Sequence, residues 1–202
     1  MSTNPRRGRR PGRPDTKAAI LAAARERFAA TGFGGTTIRA IAAAAGVDAA
    51  LVHHYFGSKD DLFVAALELP VDPRAVIGAA VAGPAEEAAE KLLRTFLSVW
   101  DDPGFQPALL ATVRRILEPG GDKLIREGFL PVVLVPVGEQ LGIDDPELRM
   151  PLVASQVIGL ILARYVVRLE PIASLDPDRL VAIYAPTIQR YLTGSLPGPS
   201  RL

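Results

Sequence analysis

The 202-residue chain contains no cysteine, two histidines and a single tryptophan, and only 6% of it is aromatic. Without thiols, a disulfide framework, a thiolate zinc site, an iron–sulfur cluster and a cysteine nucleophile are all excluded. A reducing compartment suits such a chain. Sustained period-two alternation of apolar residues, the mark of half-buried strands, is also missing. So are the GxGxxG and GxxxxGK phosphate loops, which leaves nucleotide cofactors unsupported. The longest apolar stretch, residues 152–169, carries Gln156, Arg164 and Arg168, so it reads as a buried helix and not as a membrane span. The opening MSTNPRRGRRPGRP is basic but has no apolar run behind it, which is unlike a secretory signal. A cytoplasmic protein with no membrane partner is the expectation.

What is present is ample apolar material: 49% hydrophobic and 22% charged residues, with a mean hydropathy of +0.21. That rules out disorder of the whole chain and allows one large domain, or a small one joined to a larger. The net charge of +1 hides an uneven distribution. Arg6, Arg7, Arg9, Arg10 and Arg13 put five positive charges and no acid in residues 1–14, leaving 18 basic against 22 acidic residues elsewhere. This arm, rich in Arg, Gly and Pro, cannot pack a core.

From Asp15, an N-cap type, Ile20, Leu21, Ala24 and Phe28 follow at helical spacing, and Gly32 marks a stop. Thr36 and Thr37 offer caps for a second short helix carrying Ile38, Ile41, Ala42 and Ala45, closed by Gly46. Asp48 caps a third with Leu51, Val52, Tyr55 and Phe56. Two short helices about a tight glycine turn, residues 37–56, have the proportions of a helix-turn-helix. Ser58 and Asp61 form a capping box for a fourth helix ending at Pro70, and Pro70 and Pro73 bracket a joint. The division expected is therefore an arm over 1–14, a helix-turn-helix domain over 15–69 and a larger helical domain over 70–202. The larger domain should hold helices near 74–82, from Pro84 to Trp100, 105–117, 146–170 and 176–192, with 122–141 broken or kinked by Pro131 and Pro136.

A second helix laid in the major groove must turn small or polar residues outward while its inner face packs. Val52 and Phe56 suit the inner face, and Ala49, Ala50, His53 and His54 are left outward with Asp48 at the N-terminus. Residues 15–69 hold five basic and six acidic groups, a poor platform for phosphates; the arm brings residues 1–69 to +4. Lys59, the Thr37 cap and the arm are the sources of phosphate affinity, and arginines spaced by Gly and Pro, such as Arg9, Arg10 and Arg13, fit a narrow minor groove. A solvated tail is the alternative for the arm. Adjacent helical residues point about 100° apart, so His53 and His54 do not form a bidentate metal site. A Ser-His-Asp triad would have to be built on the helix-turn-helix itself. No catalytic residue and no metal ligand is expected.

The runs Thr36-Thr37-Ile38-Arg39-Ala40-Ile41-Ala42, Ala45-Gly46-Val47 and Val52-His53-His54-Tyr55-Phe56-Gly57-Ser58-Lys59-Asp60-Asp61-Leu62-Phe63 resemble the DNA-binding signature of the TetR family of bacterial transcriptional repressors. The C-terminal part is similar to ligand-binding domains of actinobacterial members. The resemblance implies an all-α fold of about nine to ten helices, not an enzyme, in which a homodimer places its third helices in successive major grooves of a palindromic operator in double-stranded DNA. It also implies a cavity in the second domain for a small-molecule inducer. Carried over, Thr37, Tyr55 and Lys59 match phosphate contacts, and Arg39, Ala49, Ala50, Leu51, His53 and His54 match positions that approach bases. His53 and Tyr55 depart from the family's usual tyrosine and histidine there, which leaves the operator sequence open.

In the C-terminal part, Phe96, Trp100, Phe105, Leu109, Val113, Phe129 and Val133 lie on helices that would enclose a ligand, although core packing explains the same pattern. The last two long helices carry more apolar surface than one bundle covers. A partner helix pair would bury it, with Leu152, Val153, Val157, Leu160, Ile161, Arg164, Tyr165, Tyr184, Ile188 and Tyr191 at the interface. Arg164 suits an anionic inducer or, preferably, an acid across that interface. Two other functions remain open at this level: a non-specific DNA-binding architectural protein and a helical small-molecule carrier. Removing residues 1–13 should flatten the dependence of log affinity on log salt by about 0.9 for each arginine that touches a phosphate. An unchanged slope in a filter-binding titration would leave the arm as a solvated tail.

Overall fold

Where the first four helices begin is decided by side chains that take up orphan backbone N–H groups. Asp15 accepts from Lys17 N, Thr37 from Ala40 N, Asp48 from Ala50 N and Ser58 from Asp61 N. The computed structural model describes residues 15–119 and 121–197, and all its regular elements are helical, with no strand among the described residues. The N-terminal bundle comprises α1 (Thr16–Gly35), α2 (Ile38–Ala45), α3 (Ala49–Phe56) and α4 (Lys59–Ala66). The larger bundle comprises α5 (Pro73–Ala80), α6 (Ala88–Trp100), α7 (Gln106–Leu117), α8 (Val135–Gln140), α9 (Pro146–Ile161) and α10 (Pro177–Thr193). Two π-helical segments, Leu124–Leu134 and Leu162–Val166, run into α8 and out of α9 respectively.

In the N-terminal bundle, Ile20, Phe28, Ile41, Val52, Leu62 and Phe63 are fully buried. Phe63 meets Phe28 and Phe33 edge-on, with ring centroids 5.3 and 5.4 Å away, the arrangement that aromatic quadrupoles favour. α1 kinks at Gly32, whose φ of 71° lies in the left-handed region, and resumes to Gly35, three residues beyond the expected stop. Thr36 does not cap α2: its buried hydroxyl donates to the Gly32 carbonyl 2.7 Å away, and the cap falls to Thr37. α4 is also shorter than expected. It ends at Ala66, with Glu68 in a left-handed conformation before Pro70.

The segment expected to break between 122 and 141 instead keeps a helical path by widening. Pro131 has no N–H to donate to the carbonyl four residues back and its ring crowds that turn; the π-helical spacing of Leu124–Leu134 accommodates both effects. α9 likewise passes into wide turns after Ile161 and stops near Val166, short of residue 170. By length and composition Pro146–Val166 could cross a membrane, yet within it Arg149 is buried and donates to the carbonyls of Tyr191 and Gly194 at 2.8 and 2.9 Å. This clamps the end of α10 onto α9.

The two bundles share one continuous core. Gly128, on the π-helical segment, lies against the ring of Phe63, and a Cβ at that position would run into the ring. Lys123 Nζ donates to Ala30 O of α1 at 2.8 Å. Arg115 of α7 donates to Leu67 O at 2.7 Å, satisfying the end of α4, and pairs with Glu68, which also pairs with Arg25 of α1. Replacing Gly128 by Ala should therefore destabilise the fold by about 1–3 kcal/mol through overpacking. In urea melts the Gly128→Ala, Phe63→Leu double variant should lose less than the sum of the two single variants.

Candidate nucleic-acid interface and ligand cavity

The glycine turn sets the angle between α2 and α3. Gly46 adopts φ 67°, ψ 32°, and Val47 N donates to Ala42 O at 3.0 Å, closing α2 with a left-handed residue. α3 then buries Val52 and packs Phe56 partly against the core, while Ala50, His53, His54 and Tyr55 are exposed and Ala49 and Leu51 half-exposed. Thr37 and Arg39 are exposed at the start of α2. Of the outward set expected from the sequence, Ala50, His53 and His54 are exposed, and Ala49 is half-buried and packs against the core. Arg9, Arg10 and Arg13 lie outside the described residues.

His53 Nδ1 is 2.8 Å from Gly57 O. A carbonyl only accepts, so Nδ1 carries the proton, and in the neutral ring Nε2 is left as an acceptor pointing away from the turn's carbonyl. Lys59 stands at the first position of α4 with Nζ 4.2 Å from the centre of the Phe33 ring, a cation–π seat for its ammonium. Lys17 was not singled out from the sequence, yet its Nζ lies 5.8 Å from the Phe56 ring, beside the end of α3. Only the tertiary packing of α1 within the bundle brings it there.

The acids of this bundle are largely engaged in its framework. Asp61 accepts from Ser58 N and Oγ and from Arg74 Nη1 at 2.8 Å. The Ser58 hydrogen bond and then the Arg74 guanidinium hold its carboxyl below the usual range. Glu68 is lowered in the same way, chiefly by Arg25. Neither carboxylate therefore competes with a phosphate for the exposed cations Lys17 and Arg39.

Between α5, α6, α7, α9 and the π-helical segment lies a cavity of about 270 Å³. Its lining has no charged side chain, and Phe96, Trp100, Leu109, Val113 and Phe129 belong to it. Phe105 and Val133, expected there, do not: Phe105 precedes α7, and Val133 is buried in the core proper.

Three residues expected at a dimer interface are corrected by burial within the chain: Val153, Leu160 and Ile188 are at most 2% exposed. Val157 and Ile161 line the cavity. Arg164 does not line the cavity; its Nη1 donates to the carbonyls of Ile172 and Leu175, both at 2.9 Å, and Nη2 pairs with Asp101 of the same chain. Tyr165 donates to Asp101 at 2.9 Å, and burial with that carboxylate pushes its phenol up. On a helix apolar nearly all round, spacing does not say which stripe faces out. The outward stripe is Leu148 and Leu152 of α9 with Ile183, Pro186 and Tyr191 of α10; Leu148 and Ile183 are about half exposed, at 50% and 52%, while Ile158 lies at the cavity. Tyr184 is half-buried beside it.

Two family descriptions match this chain: bacterial regulatory proteins of the tetR family over residues 20–66, and the tetracyclin repressor-like C-terminal domain over 86–192, more than half of its length. The chain belongs to the TetR family. As a TetR-family protein it is a helix-turn-helix, DNA-binding regulator of transcription and not an enzyme. A TetR-family regulator of Streptomyces coelicolor A3 is 38% identical, with 92% of this chain and 98% of that one covered and a TM-score of 0.46. An HTH-type transcriptional repressor of Mycobacterium tuberculosis is 45% identical over 71 residues, 34% of this chain and 38% of the relative. The HTH-type transcriptional regulator BetI of Paraburkholderia xenovorans is 30% identical over 97 residues, 39% of this chain and 50% of the relative. The match spans half or less of those curated relatives.

The lowered carboxyl of Asp61 fixes the sign of a pH effect in this TetR-family bundle. Its contribution is complete above the ordinary aspartate value of 3.8 and is lost as pH falls through the lower folded value. Thermal melts from pH 5 down to 2.5 should show wild type losing more stability than Asp61→Asn, which has already lost the ionised cap and the Arg74 pair.

Proposed function

We propose that the protein is a ligand-responsive repressor that acts in the cytoplasm, binds a palindromic operator as a homodimer and is released when a small molecule fills the apolar cavity. The observation that carries this reading is that one element serves both bundles. The π-helical segment Leu124–Leu134 lines the cavity with Leu124, Ile125, Phe129, Leu130 and Leu134, and its Gly128 abuts Phe63 of α4. An occupant that displaces this wall shifts the seat of α4, and with it the spacing of two reading heads. Only a ligand that binds the non-matching arrangement more tightly achieves release.

In this reading the domain joint lies at 70–73, and Thr37, Tyr55 and Lys59 hold phosphates while Arg39, Ala49, Ala50, Leu51, His53 and His54 approach bases. Arg9, Arg10 and Arg13 follow the minor groove. The neutral His53 ring offers Nε2 as an acceptor, which suits the amino group of adenine or cytosine in the major groove. The exposed stripe on α9 and α10 supports the homodimer, since an apolar face of this kind is buried by a second copy across a two-fold axis.

Selection of bound genomic fragments followed by footprinting tests the reading. Two protected half-sites about 34 Å apart are expected, and His53→Ala should relax selectivity at one base pair per half-site, about three- to tenfold for the loss of about 1 kcal/mol. Equal affinity for random DNA would favour the architectural alternative, and failure to retain any fragment would favour the carrier.

A further inference from the structure

Resting on that ligand-responsive reading, we infer that the molecule filling the cavity is uncharged: a hydrocarbon chain or ring system with at most one hydroxyl- or carbonyl-type group. No Asp, Glu, Lys, Arg or His contributes to the lining. Its side-chain nitrogen and oxygen atoms belong to Thr95, Trp100 and Thr112 alone. The Thr112 hydroxyl is already engaged, with Ala108 O at 3.1 Å and Arg115 Nη2 at 3.1 Å. The Thr95 hydroxyl and the Trp100 indole N–H have no hydrogen-bond partner among the described residues, and they are the groups that can meet one polar atom of a ligand. An ionised carboxylate or ammonium would lose its water here and gain no counter-charge.

The neighbouring arginines do not alter this. Arg115 is taken up by Leu67 O and Glu68, and Arg164 by Ile172 O, Leu175 O and Asp101. Neither lines the cavity. At about 270 Å³, and about 30 Å³ for each water-sized group, the space suits a chain of roughly eight to ten carbons.

The chain's only tryptophan, Trp100, stands in the wall and reports occupancy directly. The full-length protein, without DNA, is titrated at pH 8 with 1-hexanol, 1-octanol, 1-decanol, decanoate and decylammonium while tryptophan fluorescence is read. The alcohols should saturate the signal, tightening about fourfold per added methylene. Decanoate and decylammonium should bind at least 100-fold more weakly than 1-decanol and leave the melting temperature unmoved where decanol raises it. Val113→Phe and, separately, Val157→Phe narrow the cavity, and each should weaken decanol binding tenfold or more with the helical circular dichroism retained. Charged chains binding as tightly as the alcohol, no dependence on chain length, or decanol binding untouched by both fillers would overturn the inference. Operator release is measured apart, by gel shift: decanol that fills the cavity yet leaves the DNA complex intact would sink the ligand-responsive reading while the ligand class stands.

Discussion

The seam between the Phe63 ring and the backbone at Gly128 is the constraint on which the rest of the architecture depends. Each bundle alone has an incomplete core, since Phe63 closes the N-terminal bundle through Phe28 and Phe33 and presses on the π-helical segment from the other side. The close approach is possible only because residue 128 has no side chain. Arg115 at the end of α4 and Lys123 at Ala30 fix the same seam with hydrogen bonds to backbone carbonyls. The helix-turn-helix is thereby anchored to the wall of the cavity and not suspended from a linker.

That anchoring has an electrostatic counterpart. Most of the bundle's acids serve caps and ion pairs: Asp15 caps α1, Asp48 caps α3, Asp61 closes the box of α4 and holds Arg74, and Glu68 joins Arg25 to Arg115. These exposed pairs add little stability individually, but they keep carboxylates directed into the framework. The outward face is left with small residues, two histidines and few cations. Phosphate affinity in the proposed complex then depends on helix N-termini, on Lys17, Arg39 and Lys59, and on an arm of five arginines.

The C-terminal bundle distributes its apolar residues among three tasks that composition alone does not separate. Ile188 and Leu160 fill the core, Val157 and Ile161 face the cavity, and Leu148 and Ile183 face solvent. α9 supplies all three, which is why it is apolar on nearly every side. Arg149 of α9 and Arg164 of the wide turns that follow it avoid isolation by reaching backbone carbonyls, Arg149 at the end of α10 and Arg164 in the loop before it. Both charges act as structural clamps.

By itself the sequence determined the caps, the glycine turn and the burial of Val52, because these are local: a short polar side chain meets N–H groups two or three residues on, and Gly46 supplies the left-handed residue. It likewise determined the all-helical class and the outward position of Ala50, His53 and His54, since helical periodicity places them away from Val52 and Phe56; that Tyr55 is exposed as well was not legible from its apolar spacing. Tertiary structure alone decided the rest. The wide turns at Pro131 kept a helix where local rules broke it, and Thr36 lost its cap to a buried bond with Gly32. Which stripe of α9 meets the core, the cavity or the surface, and that Arg164 ends on two carbonyls, depended on neighbours remote in the chain. On a surface apolar all round, spacing carries no information about which neighbour arrives.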